Sequence, residues 1–101
     1  MSSKAAFSPG EYIRDELEAR GWTQTDLAAL IGRPFQHVHL VCRGKRRIAA
    51  ETAAEVAAAL GTSVGVWLNL QARYDAKHAP AADPEIAARV RKLDARRKRV
   101  A

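Results

Sequence analysis

The feature that most constrains the fold is the segment TQTDLAALIGRPFQHVHLVCRG at residues 23–44. Thr23 is followed three positions later by Asp26, a spacing that forms a capping box at the start of a helix. Gly32 suits the left-handed backbone in which a helix ends and the chain reverses. Pro34 fits the first turn of a following helix. The segment therefore predicts two short helices joined by a tight turn.

Apolar spacing gives each of these two helices a buried side. Leu27, Ala28 and Ile31 share one face of the first helix, and Val38 and Val41 face it from the second. Ala28 is small enough for two short helices to cross closely at a steep angle. This combination favours a helix-turn-helix, which places its second helix in the major groove of DNA. An ordinary pair of amphipathic helices is the alternative interpretation.

The other side of the second helix, here called the reading face, carries the residues expected to contact base edges: Phe35, Gln36, His39, Leu40 and Arg43. Gln36 suits a bidentate hydrogen bond to adenine, and either Phe35 or Leu40 suits packing against thymine methyl groups. Arg43 can reach guanine or a phosphate. We expect His39 to contact the groove.

A basic loop, RGKRR at residues 43–47, follows the second helix where the chain would leave the groove. Clustered cations at such a position favour contacts with DNA phosphates. The residues expected to make phosphate contacts are Thr23, Gln24, His37, Lys45, Arg46 and Arg47. For His37, packing within the protein is the alternative. His37 and His39 point to different faces and Cys42 is the only cysteine, so we expect neither a metal site nor a disulfide.

The rest of the chain predicts an all-α fold, because alanine is abundant and no strand-like alternation of any length occurs. Apolar periodicity predicts five helices in a domain spanning residues 9–76, preceded by an N-terminal arm at residues 1–8. Trp67, Leu70 and Tyr74 lie on one stripe of the fifth helix, and we expect them to make core and dimer contacts. No segment has the length of a membrane span or the pattern of a signal peptide, so we expect a cytoplasmic protein.

The net charge of +6 is concentrated in the C-terminal part of the chain. Residues 1–76 contain nine Lys or Arg against eight Asp or Glu, a balance of +1. Residues 77–101 contain eight against three, a balance of +5. This charge gradient predicts a basic segment that is separate from the folded domain.

Residues 77–101 are predicted to form a linker and a basic amphipathic helix. Asp83, Pro84 and Glu85 form a helix start signal, and Ile86, Val90 and Leu93 follow along one face. We favour an ordered helix whose apolar stripe packs on the bundle or on a partner subunit. A flexible arm that attracts phosphates is the alternative, since an isolated helix of this length is marginal in water.

Three stretches together resemble the HigA-type addiction-module antitoxins, a branch of the lambda-repressor-like helix-turn-helix proteins. They are residues 23–44, GKRRI at 44–48 and LGTSVGVWLNLQARYD at 60–75. The resemblance covers about residues 7–76, and Arg33 departs from it because the family usually has an apolar residue after the turn glycine. It implies a five-helix bundle followed here by the basic helix. It also implies a homodimer that represses its operon by binding double-stranded operator DNA and that neutralises a ribonuclease toxin encoded beside it.

A basic ribonuclease would find complementary charge on the first helix, so the residues expected to bind the toxin are Glu11, Asp15, Glu16 and Glu18. A solvated helix face is the alternative for these acids. No catalytic constellation and no phosphate-cradling glycine loop is present, so we expect neither an enzyme nor a cofactor. A stand-alone helix-turn-helix repressor is the main alternative function. A nucleoid-like or RNA-binding role of the basic tail is a further alternative, but the tail lacks the interleaved aromatic residues that would support it.

Overall fold

The structure, a computed structural model, describes residues 8–100 and the side chains of residues 8–98. Within this part of the chain all regular structure is helical, which confirms the all-α prediction. The six helices are α1 Pro9–Arg20, α2 Gln24–Ile31, α3 Phe35–Cys42, α4 Ala50–Leu60, α5 Val64–His78 and α6 Glu85–Val100. Of the predicted N-terminal arm, residues 1–7 lie outside the described residues. None of the described helices is long and apolar enough to cross a membrane.

The turn between α2 and α3 forms largely as its sequence predicts. Thr23 Oγ1 accepts a hydrogen bond from the Asp26 backbone N–H at 3.0 Å, and Asp26 Oδ2 accepts one from the Thr23 N–H at 2.8 Å. Gly32 ends α2 with a φ of 69°. Pro34 differs from the prediction, because it lies at the N-cap of α3 in an extended conformation and not in the first turn. Its carbonyl oxygen accepts a hydrogen bond from the His37 N–H at 3.0 Å, which begins the helix one residue later.

The core is formed by α1 to α5 and by Ile48, which precedes α4. Its buried apolar residues are Ile13, Leu17, Leu27, Ala28, Val38, Val41, Cys42, Ile48, Ala53, Val56, Ala57, Leu60 and Trp67. The predicted inner sides of α2 and α3 are therefore confirmed, with Ile31 partly buried against the cluster. Burial raises the pKa of the Cys42 thiol to about 11. Cys42 is accordingly a packing residue, as expected from its isolation in the sequence.

Helix α1 crosses α3 at Gly10, where the two backbones approach closely. A Cβ atom at this position would lie 2.0 Å from the carbonyl oxygen of Val41 and 2.8 Å from the Cα of Cys42. Only glycine fits such an approach without moving one of the helices. Gly10 therefore sets the position of α3 relative to α1.

Arg33 ties the turn between α2 and α3 to α4. Its Nε lies 2.8 Å from Glu55 Oε1 and its Nη2 lies 3.0 Å from Glu55 Oε2, a bidentate pair. Glu51 Oε2 lies 3.5 Å from the same Nη2. Hydrogen bonding to Arg33 lowers the pKa of Glu55, and the same pairing raises the pKa of Arg33. The charged side chain that departs from the family pattern thus has a local structural partner.

Helix α6 lies apart from the core. Asp83 Oδ1 accepts a hydrogen bond from the Glu85 backbone N–H at 2.9 Å, so the start signal operates as expected. The apolar stripe remains open, with Ile86 48%, Val90 51% and Leu93 49% exposed. The expectation that this stripe packs on the bundle is therefore wrong, because the extended chain after α5 leads α6 away from the core. Packing on a partner subunit stays a prediction.

Candidate DNA-binding surface

Helix α3 has the two-sided character that a recognition helix needs. Val38 and Val41 are buried, whereas Phe35, Gln36 and Arg43 are exposed. The half-buried residues His39 and Leu40 complete the reading face. Five side chains of different chemistry thus lie on one outward side of a helix whose other side is anchored in the core.

Gln24, the first residue of α2, contacts the reading face directly. Its Oε1 lies 3.0 Å from Nδ1 of His39, and the His39 ring stacks on Phe35 with centroids 5.3 Å apart and planes at 18°. Thr23, next to Gln24, is held by the capping box. The two residues predicted to contact phosphates at the start of α2 therefore have defined positions beside α3, and their phosphate contacts stay a prediction.

The basic loop that follows α3 divides into free and paired cations. Lys45 and Arg46 are exposed and form no ion pair among the described residues. Arg47 differs, because its Nη2 lies 2.6 Å from Asp75 Oδ2 on α5. The side chain of Arg47 is nevertheless 68% exposed, and an exposed ion pair is weak, so its phosphate contact stays a prediction.

A buried glutamine on α5 fastens the same loop. Gln71 is 4% exposed, and its Oε1 accepts a hydrogen bond from the Ile48 backbone N–H at 2.7 Å. Its Nε2 donates to Asp75 Oδ1 at 2.9 Å, which joins Gln71 to the pair formed by Arg47 and Asp75. No role for Gln71 was predicted from the sequence, although its position one helical turn after Trp67 indicates a buried amide that needs hydrogen-bond partners.

His37 faces the protein interior more than the solvent. Its Nε2 lies 3.4 Å from Thr52 Oγ1 on α4. Burial lowers the pKa of His37, and the nearby cations Arg46 and Arg33 lower it further. The contact with Thr52 and the lowered pKa support the packing alternative for His37, and its phosphate contact stays a prediction.

The acids predicted to bind a toxin lie along α1. Glu11 pairs with Arg14 at 3.4 Å and Glu16 pairs with Arg20 at 2.5 Å, both within one turn of the helix. Asp15 and Glu18 are exposed. Intrahelical pairing of this kind is weak and leaves an acid accessible to a partner, so this surface stays a candidate.

The stripe predicted on α5 splits between core and surface. Trp67 is 2% exposed and its Nε1 donates a hydrogen bond to Thr62 Oγ1 at 2.7 Å. Its core role is confirmed, and it has no surface left for a partner subunit. Leu70 is partly buried against the core, and the Tyr74 ring lies 4.4 Å from that of His78. Leu70 and Tyr74 therefore remain the candidates for a dimer contact.

The fold and this surface define a helix-turn-helix protein. Helix-turn-helix is also the family whose model matches the chain, over residues 13–67. The virulence-associated protein I of Dichelobacter nodosus is 33% identical over 75 residues, which are 73% of this chain and 69% of that protein. An addiction-module antidote protein of the HigA family from Coxiella burnetii superposes with a TM-score of 0.70. It is 36% identical, over 73% of this chain and 82% of its own.

The antitoxin HigA of Pseudomonas aeruginosa, solved with the higBA promoter, superposes with a TM-score of 0.71. It is 28% identical, over 87% of this chain and 90% of its own. The chain belongs to the helix-turn-helix family and, within it, to the HigA-type antitoxins.

Proposed function

We propose that the chain is an antitoxin that represses its own operon as a DNA-binding homodimer and neutralises a ribonuclease toxin encoded beside it. The observation that carries the proposal is the exposed reading face of α3 next to the exposed cations Lys45 and Arg46, which form no ion pair within residues 8–98. The reading face contacts base edges, and the two cations contact phosphates. The Pseudomonas aeruginosa relative with its promoter supports the same use of the fold.

The DNA-binding half of the proposal predicts a palindromic operator. A single short helix contacts few bases, and a symmetric dimer doubles the contacts across two half-sites about 10 base pairs apart. Gln36→Ala is expected to change base preference at one position per half-site and to cost about 1–3 kcal/mol there. Lys45→Ala serves as the comparison, because loss of a phosphate contact weakens all sequences alike and lowers the salt dependence.

Anisotropy titrations against the native operator, a base-substituted operator and unrelated DNA separate the two effects. Equal binding of the native protein to all three DNAs would contradict sequence-specific repression. An unchanged base preference in Gln36→Ala would show that the reading face is assigned to the wrong residues.

The toxin-binding half of the proposal places the contact on α1. Reversing Asp15 and Glu18 to Lys is expected to slow association with a basic ribonuclease and to leave operator affinity nearly intact. Reversal of Glu85 and Asp94 on α6 is the matched control, because it changes the net charge equally on an exposed helix outside the core.

Co-expression with the reading frame adjacent to the gene supplies the measurement. We expect the native chain and the α6 control to rescue growth and the α1 variant to fail. Full rescue of growth by the α1 variant would show that the toxin contact lies on another surface. Repression of the operon without any toxic neighbour would favour the alternative of a stand-alone repressor.

A further inference from the structure

Three side chains from α2 and α3 form a connected unit on the reading face. The capping box of Thr23 and Asp26 fixes the first turn of α2, from which Gln24 reaches His39 at 3.0 Å. His39 in turn stacks on Phe35, which is 46% exposed. The unit therefore presents an imidazole edge and an aromatic face in fixed relative positions.

The hydrogen bond that Gln24 Oε1 accepts from His39 determines which ring nitrogen carries the proton. An amide oxygen only accepts hydrogen bonds, so Nδ1 of His39 must carry the proton that it donates to Gln24 Oε1. In a neutral imidazole the other nitrogen is then an acceptor. Nε2 of His39 points away from the Nδ1 side of the ring and forms no hydrogen bond with the described residues.

We propose that His39 and Phe35 together select an A·T base pair in the major groove, with Gln24 as the positioning residue. This inference rests on the proposed operator binding and specifies its base preference. The exocyclic amino group of adenine offers the donor that Nε2 requires, and the thymine of the same pair offers a methyl group to the Phe35 ring.

The competing base pairs match only part of this unit. A G·C pair presents the amino group of cytosine to Nε2 but has no methyl group for Phe35. The stacked arrangement keeps the acceptor and the apolar surface close enough to meet a single base pair, because the two ring centroids are only 5.3 Å apart. A·T is the pair that supplies a donor and a methyl group together.

Base analogues test each contact separately. The operator is first defined by selecting bound sequences from a randomised duplex pool, and the A·T position that loses its preference in His39→Ala is then modified. Replacing its adenine by unsubstituted purine removes the amino group and is expected to weaken binding about two- to tenfold. Replacing its thymine by uracil removes only the methyl group and is expected to weaken binding about fourfold.

Protein variants link each loss to its side chain. The purine effect is expected to disappear in His39→Ala and the uracil effect in Phe35→Ala, because the partner is then already absent. Gln24→Glu keeps an acceptor for Nδ1 and should retain the adenine preference. Gln24→Lys offers only donors, so the His39 proton should move to Nε2 and the preference should shift to a base with an acceptor there.

The outcomes separate this inference from the proposed function. Specific operator binding that is indifferent to both analogues would overturn the selection of A·T and leave the repressor assignment intact. Failure to bind any duplex specifically would overturn both. Nitrogen chemical shifts of His39 in the free protein give an independent check, since a proton on Nε2 instead of Nδ1 would refute the hydrogen-bond assignment without any DNA.

Discussion

The close crossing of α1 and α3 makes Gly10 a position where the smallest possible enlargement should be costly. In Gly10→Ala the new methyl carbon would lie 2.0 Å from the Val41 carbonyl oxygen and 2.9 Å from the Cys42 carbonyl carbon. Carbon and oxygen atoms normally approach no closer than about 3.3 Å. Because the obstructing atoms belong to the backbone, rotation of a side chain cannot relieve the contact and the helices must separate by on the order of 1 Å.

The magnitude follows from two opposing contributions. Overpacking of a tight core costs about 1–3 kcal/mol. Alanine gains up to about 1 kcal/mol over glycine within a helix, and less near a helix end. We expect a net loss of about 1–2 kcal/mol, which in a domain of this size lowers Tm by roughly 5–15 °C.

Gly65→Ala is a matched control, because Gly65 is also the second residue of its helix. A Cβ at Gly65 would meet no atom within 4 Å. Thermal unfolding followed by circular dichroism should therefore show a lower Tm for Gly10→Ala and an equal or higher Tm for Gly65→Ala. If both variants have the same Tm, equal to or above that of the native protein, the crossing of α1 and α3 tolerates a methyl group and the reasoning fails.

Three further outcomes are expected. Asp75→Asn should release Arg47 and strengthen DNA binding at low salt. In titrations, the affinity should then depend more steeply on salt concentration. An unchanged slope would show that the released Arg47 forms no new phosphate contact. The lowered pKa of His37 means that the unfolded state binds more protons below the ordinary value of 6.5. The free energy of unfolding should therefore fall as pH decreases below 6.5, and urea titrations of His37→Gln should lack this component. Deletion of residues 84–101 should lower DNA affinity most at low salt and leave the core folded, and loss of folding in that variant would assign α6 to the core.

Local signals account for the part of the fold that could be predicted. The capping box at Thr23, the turn at Gly32 and the apolar spacing of Val38 and Val41 each involve residues within one or two helical turns. Patterns of this range are specified by the backbone geometry of a helix and need no knowledge of the rest of the chain. The two-sided character of α3 followed from them directly.

The contacts that were not predicted join side chains that are distant in the sequence. Arg47 meets Asp75, which is 28 positions away, and Arg33 meets Glu55, which is 22 positions away. No periodicity connects such residues, because their proximity depends on how α4 and α5 pack against the turn and the loop. Phosphate ligands therefore cannot be distinguished from internal ion pairs by clustering of charge alone.

The internal ion pairs also change where positive charge is available. Glu55 and Asp75 neutralise Arg33 and Arg47, which flank α3 in the sequence. The exposed cations left beside the reading face are those at the C-terminal end of α3 and in the loop that follows, Arg43, Lys45 and Arg46. Charge concentrated at one end of a recognition helix orients the helix along the phosphate backbone as well as attracting it. We therefore expect the cations that contact phosphates to concentrate at the C-terminal end of α3, whereas the contacts predicted for Thr23 and Gln24 lie at the start of α2.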